Sequence, residues 1–277
     1  MIPTYYVSGP SAPFRAHVTL ILAFVLFGLM SESSQSQTNG KSAQLASNKT
    51  EKFASKMEYQ VRVDIYTDDS KPPVNSLQTI FSNGMAIEFN DQQGRFTVVD
   101  PVGDRVSILD REKKSLVHLS MRTVESQLDR AIQLMSPEQQ AAFSCDGPAI
   151  LESAGRFSIG NQTIRYQFTP LSTKPEIAIG YAEFSDWVTR VYALHGPKMP
   201  PQIRMELNKL LASQSQLPGE LRRIVWYGGK TEKPIREEVI ARLHLTESLT
   251  ESDKGRVASV YQWMKDFRPM TESDFFK

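Results

Sequence analysis

Between residues 57 and 120 the chain is cut into short segments of alternating apolar and polar residues, each closed by turn-forming residues, and this rhythm constrains the fold more than any other feature. Met57, Tyr59, Val61, Val63 and Ile65 alternate with Glu58, Gln60, Arg62, Asp64 and Tyr66, the period of a strand with one face buried and one wet. Residues 77–81 repeat the pattern, Ser82, Asn83 and Gly84 supply turn chemistry, and Met85, Ile87 and Phe89 form the next apolar face. Strands follow at 95–100, 105–109 and 116–120, separated by turns at 91–94, 101–103 and 110–114. Connections this short demand antiparallel pairing, because a parallel crossover takes about a dozen residues or more.

The period then changes. Val124, Leu128, Ala131, Ile132 and Met135 lie on one stripe of a helix over residues 122–135. Ser136 as N-cap and Pro137 in the first helical position start a second, short helix that ends before residues 146–148. A second set of strands is expected around Phe157 and Ile159, then Ile164, Tyr166 and Phe168, then Ile177, Ile179 and Tyr181. Ser185 reads as the N-cap of a helix carrying Trp187, Val188, Val191 and Tyr192 and stopped by Gly196 and Pro197. Another helix starts at Pro200 and Pro201 and buries Ile203, Leu207, Leu210 and Leu211. A hairpin of residues 221–227 and 239–245 follows, then a last helix capped at 250–253, with Val257, Val260, Tyr261, Met264 and Phe267 on one face and Pro269 as its stop. Strands in runs, with helices between the runs, define an α+β chain built on an antiparallel sheet of at least six strands. Val61, Val63, Ile87, Ile164, Tyr166 and Phe168 are expected to point into one interior.

Residues 18–30 form an apolar run preceded by Arg15 and His17, shorter than the ~20 residues a helix needs to span a bilayer. Residues 1–33 therefore read as a signal peptide or N-terminal anchor, residues 34–55 as a polar flexible linker, and residues 56–277 as a single α+β domain. The expected location is outside the cytoplasm, in the periplasm or cell envelope or beyond it. The lone cysteine, Cys145, stands far from the apolar run, which excludes a lipoprotein anchor and an intrachain disulfide. Lys plus Arg number 32 and Asp plus Glu 31, so no basic excess exists to hold a nucleic acid. Membrane contact is expected only through the N-terminal segment, if it is uncleaved.

Catalytic motifs are missing. Gly228, Gly229, Lys230 and Thr231 imitate a phosphate loop, but its first glycine would fall at Ile224 and Pro234 follows where a helix should begin, so a hairpin loop explains them. Gly40, Lys41 and Ser42 sit in the linker. Of the histidines beyond the N-terminal segment, His118 lies in a strand beside Leu116 and Ser120, His195 at a helix end where the dipole favours a cation, and His244 on a polar strand face. Asp68 and Asp69 occupy a turn, and Cys145 lacks a neighbouring base that would make it a thiolate. Asn48 and Asn161 head glycosylation triplets that matter only in a eukaryotic cell. No residue is assigned to catalysis, metal binding or a cofactor, and ligand-binding residues are unknown at this level.

The strand pair in residues 94–101 (GRFTVVDP) and 104–117 (DRVSILDREKKSLV), where a strand ending in an apolar residue and Asp turns through charged residues into the next, resembles exported LolA-like proteins, the periplasmic lipoprotein-carrier superfamily. The resemblance implies a curved antiparallel half-barrel with helices covering one side, which in the carriers holds acyl chains. The arginine that carriers use near the cavity has no counterpart here, and the helical segments 122–144 and 186–214 are longer than the family suggests. The expected function is then a non-enzymatic exported protein with an apolar pocket for a lipid or a lipidated partner such as a lipoprotein. A structural or protein-interaction module of the envelope with a solid core is the alternative, and a hydrolase with an unrecognised site the third.

Overall fold

The computed structural model describes residues 57–153, 155–195, 201–227 and 235–276. The expected signal peptide or anchor at 1–33, the expected linker at 34–55 with Asn48, the expected helix stop at Gly196 and Pro197, and residues 228–234 lie outside these residues.

The strand rhythm becomes a meander of β1 (Tyr59–Tyr66), β2 (Asn75–Ser82), β3 (Met85–Asn90), β4 (Arg95–Asp100), β5 (Arg105–Asp110) and β6 (Ser115–Ser120). Asn83 and Gly84 both adopt positive φ, 54° and 74°, which gives the β2–β3 hairpin the twist a two-residue turn requires. Helices α1 (Met121–Gln133) and α2 (Pro137–Phe143) follow, α2 opening with Ser136 and Gln139 in a reciprocal capping box. Next come β7 (Ile150–Ser153), β8 (Arg156–Gly160), β9 (Ile164–Ser172), α3 (Pro175–His195), α4 (Pro201–Ser213), β10 (Gln216–Tyr227), β11 (Ile235–Thr246), α5 (Glu251–Asp266), β12 (Arg268–Pro269) and α6 (Glu272–Phe275).

All strands join one open 12-stranded sheet in the order β12-β6-β5-β4-β3-β2-β1-β11-β10-β9-β8-β7, so β1 and β11 zip the two halves of the chain together. Every pairing is antiparallel except that of β12 with β6. The fold is thus α+β on an antiparallel sheet, as the periodicity predicts.

One face, here the inner face, carries α1, α3 and α4. Val61, Phe81, Val99, Val106 and Leu119 pack there with Ile177, Phe184 and Val191 of α3 and Val124 of α1. Farther along, Ile164, Tyr166 and Phe168 pack under Ile203, Leu207 and Leu211 of α4. The opposite, outer face is covered by α5 over β2 to β6, where Ile80, Ile87, Phe96, Val98 and Leu109 meet Val257, Val260 and Phe267. Ile87 therefore does not share the interior of Val61 and Tyr166, because β3 and β4 are sandwiched between two helix layers and bury both of their faces.

Two other expectations change. Ile177, Ile179 and Tyr181 are not a strand: they open the 21-residue α3, whose N-terminal Pro175 presets the helical φ. Ile177, Tyr181, Phe184 and Val191 repeat with helical spacing, and the period-two reading matched only the first three apolar residues. Ser185 is consequently a buried mid-helix residue and not a cap. Tyr59 stacks on Phe81 at 4.2 Å and donates its hydroxyl to the Ile177 carbonyl at 3.3 Å, which brings α3 so close that a Cβ at Gly180 would lie 2.7 Å from the Tyr59 hydroxyl.

The inner face also buries a carboxyl. The register row Val61, Thr79, Glu88, Thr97, Ile108 and Val117 crosses the sheet beneath the helices, and Glu88 is only 9% exposed.

Candidate functional site

Where α5 ends its cover, the outer face of β1, β2 and β11 is bare. Register places Gln78 and His244 on either side of Arg62, Ser76 and Arg242 on either side of Asp64, and Thr246 beside Gln60. Gln60, Arg62, Ser76, Gln78, His244 and Thr246, with Leu77 and Asp91, line an open groove of about 490 Å³, within the ~300–1,000 Å³ typical of ligand sites.

The groove is built around Asp64. Its buried carboxylate accepts the Ser76 hydroxyl at 2.6 Å and Arg62 Nη2 at 3.1 Å, and His244 Nε2 stands 3.2 Å away. Serine, histidine and aspartate thus converge, but Ser76 and His244 both turn to the carboxylate. The Ser76 proton points at Asp64, so no nucleophile–base contact of the acyl-transfer kind is formed. The guanidinium of Arg62 and the ring of His244 keep about half of their surface open to the groove, 58% and 52%.

The wall at the α5 end is locked. Thr250 caps the helix and binds Asp253 reciprocally, and Gln60 and Gln78 donate to the same carboxylate at 3.3 and 3.0 Å. Burial acts to raise the Asp253 pKa, but these bonds from Thr250 and Gln78 together with nearby Arg256 hold it below the ordinary carboxylate range. Arg256 lies 4.1 Å over the Phe89 ring, bonds Gln78, and reaches Asp91 on the rim at 2.7 Å. Beyond the groove the bare face continues as an ion network in which Arg222 meets Glu220, Glu238 and Asp69, and Arg242 meets Glu220 and Asp69. Ile224 and Ile240 stay buried among these side chains, whose aliphatic stems can lie over apolar neighbours while their charges stay wet.

The residues singled out in the sequence fall apart from one another. His118 shares a hydrogen bond with Ser107 Oγ through Nδ1 at 2.8 Å, and burial, then Arg105, lower its pKa. His195 closes the last turn of α3 as the sequence predicts, and there its ring stacks on Phe276 at 4.2 Å beside Glu272, while burial outweighs Glu272 to lower its pKa. Asp68 binds its own turn through the Ser70 amide and hydroxyl and Lys71, which hold its pKa at about 2, while Asp69 joins Arg222 and Arg242. The Cys145 thiol is pushed up by burial, then by Glu206 and Asp146, the opposite of activation. Asn161 is a structural hub: its amide donates to the Ala142 and Ser144 carbonyls and its oxygen accepts from the Thr163 and Ile164 amides, so at 5% exposure it presents no acceptor to a glycan.

Only His244 of these residues enters the groove. Arg62 and Asp64 were visible as the wet side of β1, but His244 joins them through a pairing some 180 positions distant, for which a single sequence carries no local signal. Among the described residues no cluster of three or more His, Cys, Asp or Glu could hold a metal ion, and no helix is long and apolar enough to cross a membrane. Compared with protein-family models and with curated proteins, the chain matches none.

Proposed function

We propose that this chain is an exported, non-enzymatic binding module of the cell envelope, its helix-covered inner face serving as a solid body and its polar groove as the contact surface. The observation that carries the reading is the contrast between the two faces. Val61, Val99, Val106, Ile177 and Leu217 are sealed from solvent on the inner face, whereas the 490 Å³ groove is open and lined by oriented polar groups on the outer one. Asp64 and Asp253 hold those groups in place without a ligand, so little ordering entropy is lost on binding. The apolar run at 18–30 supports export. A photo-crosslinking residue at Thr246 should give an adduct in envelope preparations that is lost in Arg62→Ala, whereas one at exposed Gln139 of α2 should give none. Equal adducts at both positions would defeat the proposal.

A second reading follows from α1. Leu128, Ala131, Ile132 and Met135 of its stripe are only half-buried and neighbouring Leu134 is 81% exposed, so this helix is a weaker cover than α3 or α4. Such a cover suits a LolA-like carrier that admits an apolar chain beneath α1. Native mass spectrometry of the purified protein, followed by organic extraction, should then reveal a lipid; a bare mass under both conditions favours the groove alone.

A further inference from the structure

We propose that the groove accepts a carboxylate from an acidic segment of a partner protein, with Arg62 as the fork that holds it and His244 beside it. This inference rests on the reading of the groove as a contact surface and names the chemistry the partner must bring.

The hydrogen-bonding capacity left over in the groove carries the argument. Its inner acceptors are spent. Asp64 receives the Ser76 hydroxyl and Arg62 Nη2, with His244 Nε2 3.2 Å away, and Asp253 receives Gln60, Gln78 and Thr250. The amide oxygen of Gln60 accepts from Gln78, that of Gln78 accepts from Arg256, and Asp91 on the rim takes Arg256 as well. The donors are not spent. A guanidinium carries five N–H groups, and among the described residues Arg62 commits only Nη2, to Asp64. His244, opposite Arg62 in register, turns Nε2 to the same carboxylate and keeps Nδ1, which donates when the ring is protonated. Both side chains are half-exposed and share one buried anchor, so they stand side by side before anything binds. A donor-rich site calls for an acceptor-rich ligand.

Charge and shape select the class. A carboxylate meets a guanidinium through two parallel bonds and brings a single negative charge. A phosphate brings nearly two, into a groove where Asp64, Asp91 and Asp253 already face Arg62 and Arg256, and like charges at this range repel it. The open shape selects the source. Small-molecule sites bury most of their ligand's surface, whereas a free acid in this open groove would stay largely in water. The carboxylate therefore arrives on a larger body that also covers the rim.

The test is a titration of the purified protein with end-blocked peptides of about ten residues, alternating Glu and Ser or Gln and Ser, followed by the Nε–Hε resonance of Arg62. The Glu peptide should bind about tenfold more tightly than the Gln peptide, and acetate at matched carboxylate concentration should be weaker by a similar factor. Arg62→Gln should bring the two peptides level, and Arg62→Lys should keep only part of the preference, because an ammonium lacks the fork. Equal affinities in the wild type, a preference that survives Arg62→Gln, acetate as tight as the Glu peptide, or a phosphoserine peptide tighter than it would overturn the proposal. Should Arg62→Gln fail to fold, the wild-type resonance decides: a shift with the Glu peptide alone upholds the proposal, and no shift, or the same shift with both peptides, rejects it. A crosslinked adduct at Thr246 together with equal peptide affinities would reject the carboxylate and leave the contact surface standing. A Glu preference without any adduct would reject the contact surface and leave the carboxylate site.

Discussion

Single side chains in this molecule do work that their residue type alone would not announce. Gly180 is needed because the Tyr59 hydroxyl occupies the place of its missing Cβ. Gly180→Ala should cost about 1–3 kcal/mol by overpacking, read as a shift of the denaturation midpoint, and Tyr59→Phe should recover part of that loss in the double variant. Glu88 provides a second prediction, with its sign fixed by linkage. Its folded pKa of about 7 lies above the ordinary 4.5, so the folded state binds the extra proton between these values and stability falls as pH rises through that window. The loss is about 3 kcal/mol once pH exceeds 7, and Glu88→Gln should remove it. Denaturation of the two proteins at pH 5 and 8.5 checks this: the variant should gain on the wild type only at the higher pH. Asn161 shows a different economy, one amide satisfying four backbone groups that join the end of α2 to the β8–β9 turn.

At the scale of elements, the caps at Ser136 and Thr250 and the hairpin turns were legible, whereas the supposed cap at Ser185, the start of α3 and the short α6 were not. The Thr250 and Asp253 box begins α5 where the sequence predicts, and Thr250→Ala should cost about 1 kcal/mol, with the added effect that Asp253 loses a donor and the groove wall loosens. The start of α3 was masked by three apolar residues at alternate positions, which fit a strand as well as a helix until the neighbouring sheet is known. The helices also differ in how firmly they hold. Leu207 of α4 is completely buried, so Leu207→Ala should cost about 2–5 kcal/mol. Half-buried Leu128 of α1 should cost less on truncation, and a rise in apolar-dye binding in Leu128→Ala would favour the carrier reading, whereas unchanged dye binding favours a packed module.

For the whole molecule, the decisive fact is a sheet with differently treated faces. Helices cover the inner face, α5 covers the outer face over β2 to β6, and the outer face of β1, β11 and β10 is left to charged and polar residues. That bare region is where a partner can reach the chain without displacing a packed element. Export is the corresponding whole-molecule prediction: N-terminal sequencing of protein from the envelope fraction should find a mature start between Ser31 and Gly40, and intact Met1 in the cytosol would contradict it.

The meander strands, their hairpin turns, the caps at Ser136 and Thr250 and the α+β class follow from the sequence by itself, because each depends on residues within a turn or two of one another: alternation in β1, Asn83 and Gly84 between β2 and β3, Ser136 before α2. Tertiary structure alone decided which face each row of side chains occupies. Ile87 and Glu88 are adjacent and both buried, one beneath α5 and the other beneath α3, since β3 is enclosed from both sides. The groove arose the same way, from pairing that sets Gln60 and Arg62 of β1 against Thr246 and His244 of β11, and a pattern confined to either segment contains no information about the other.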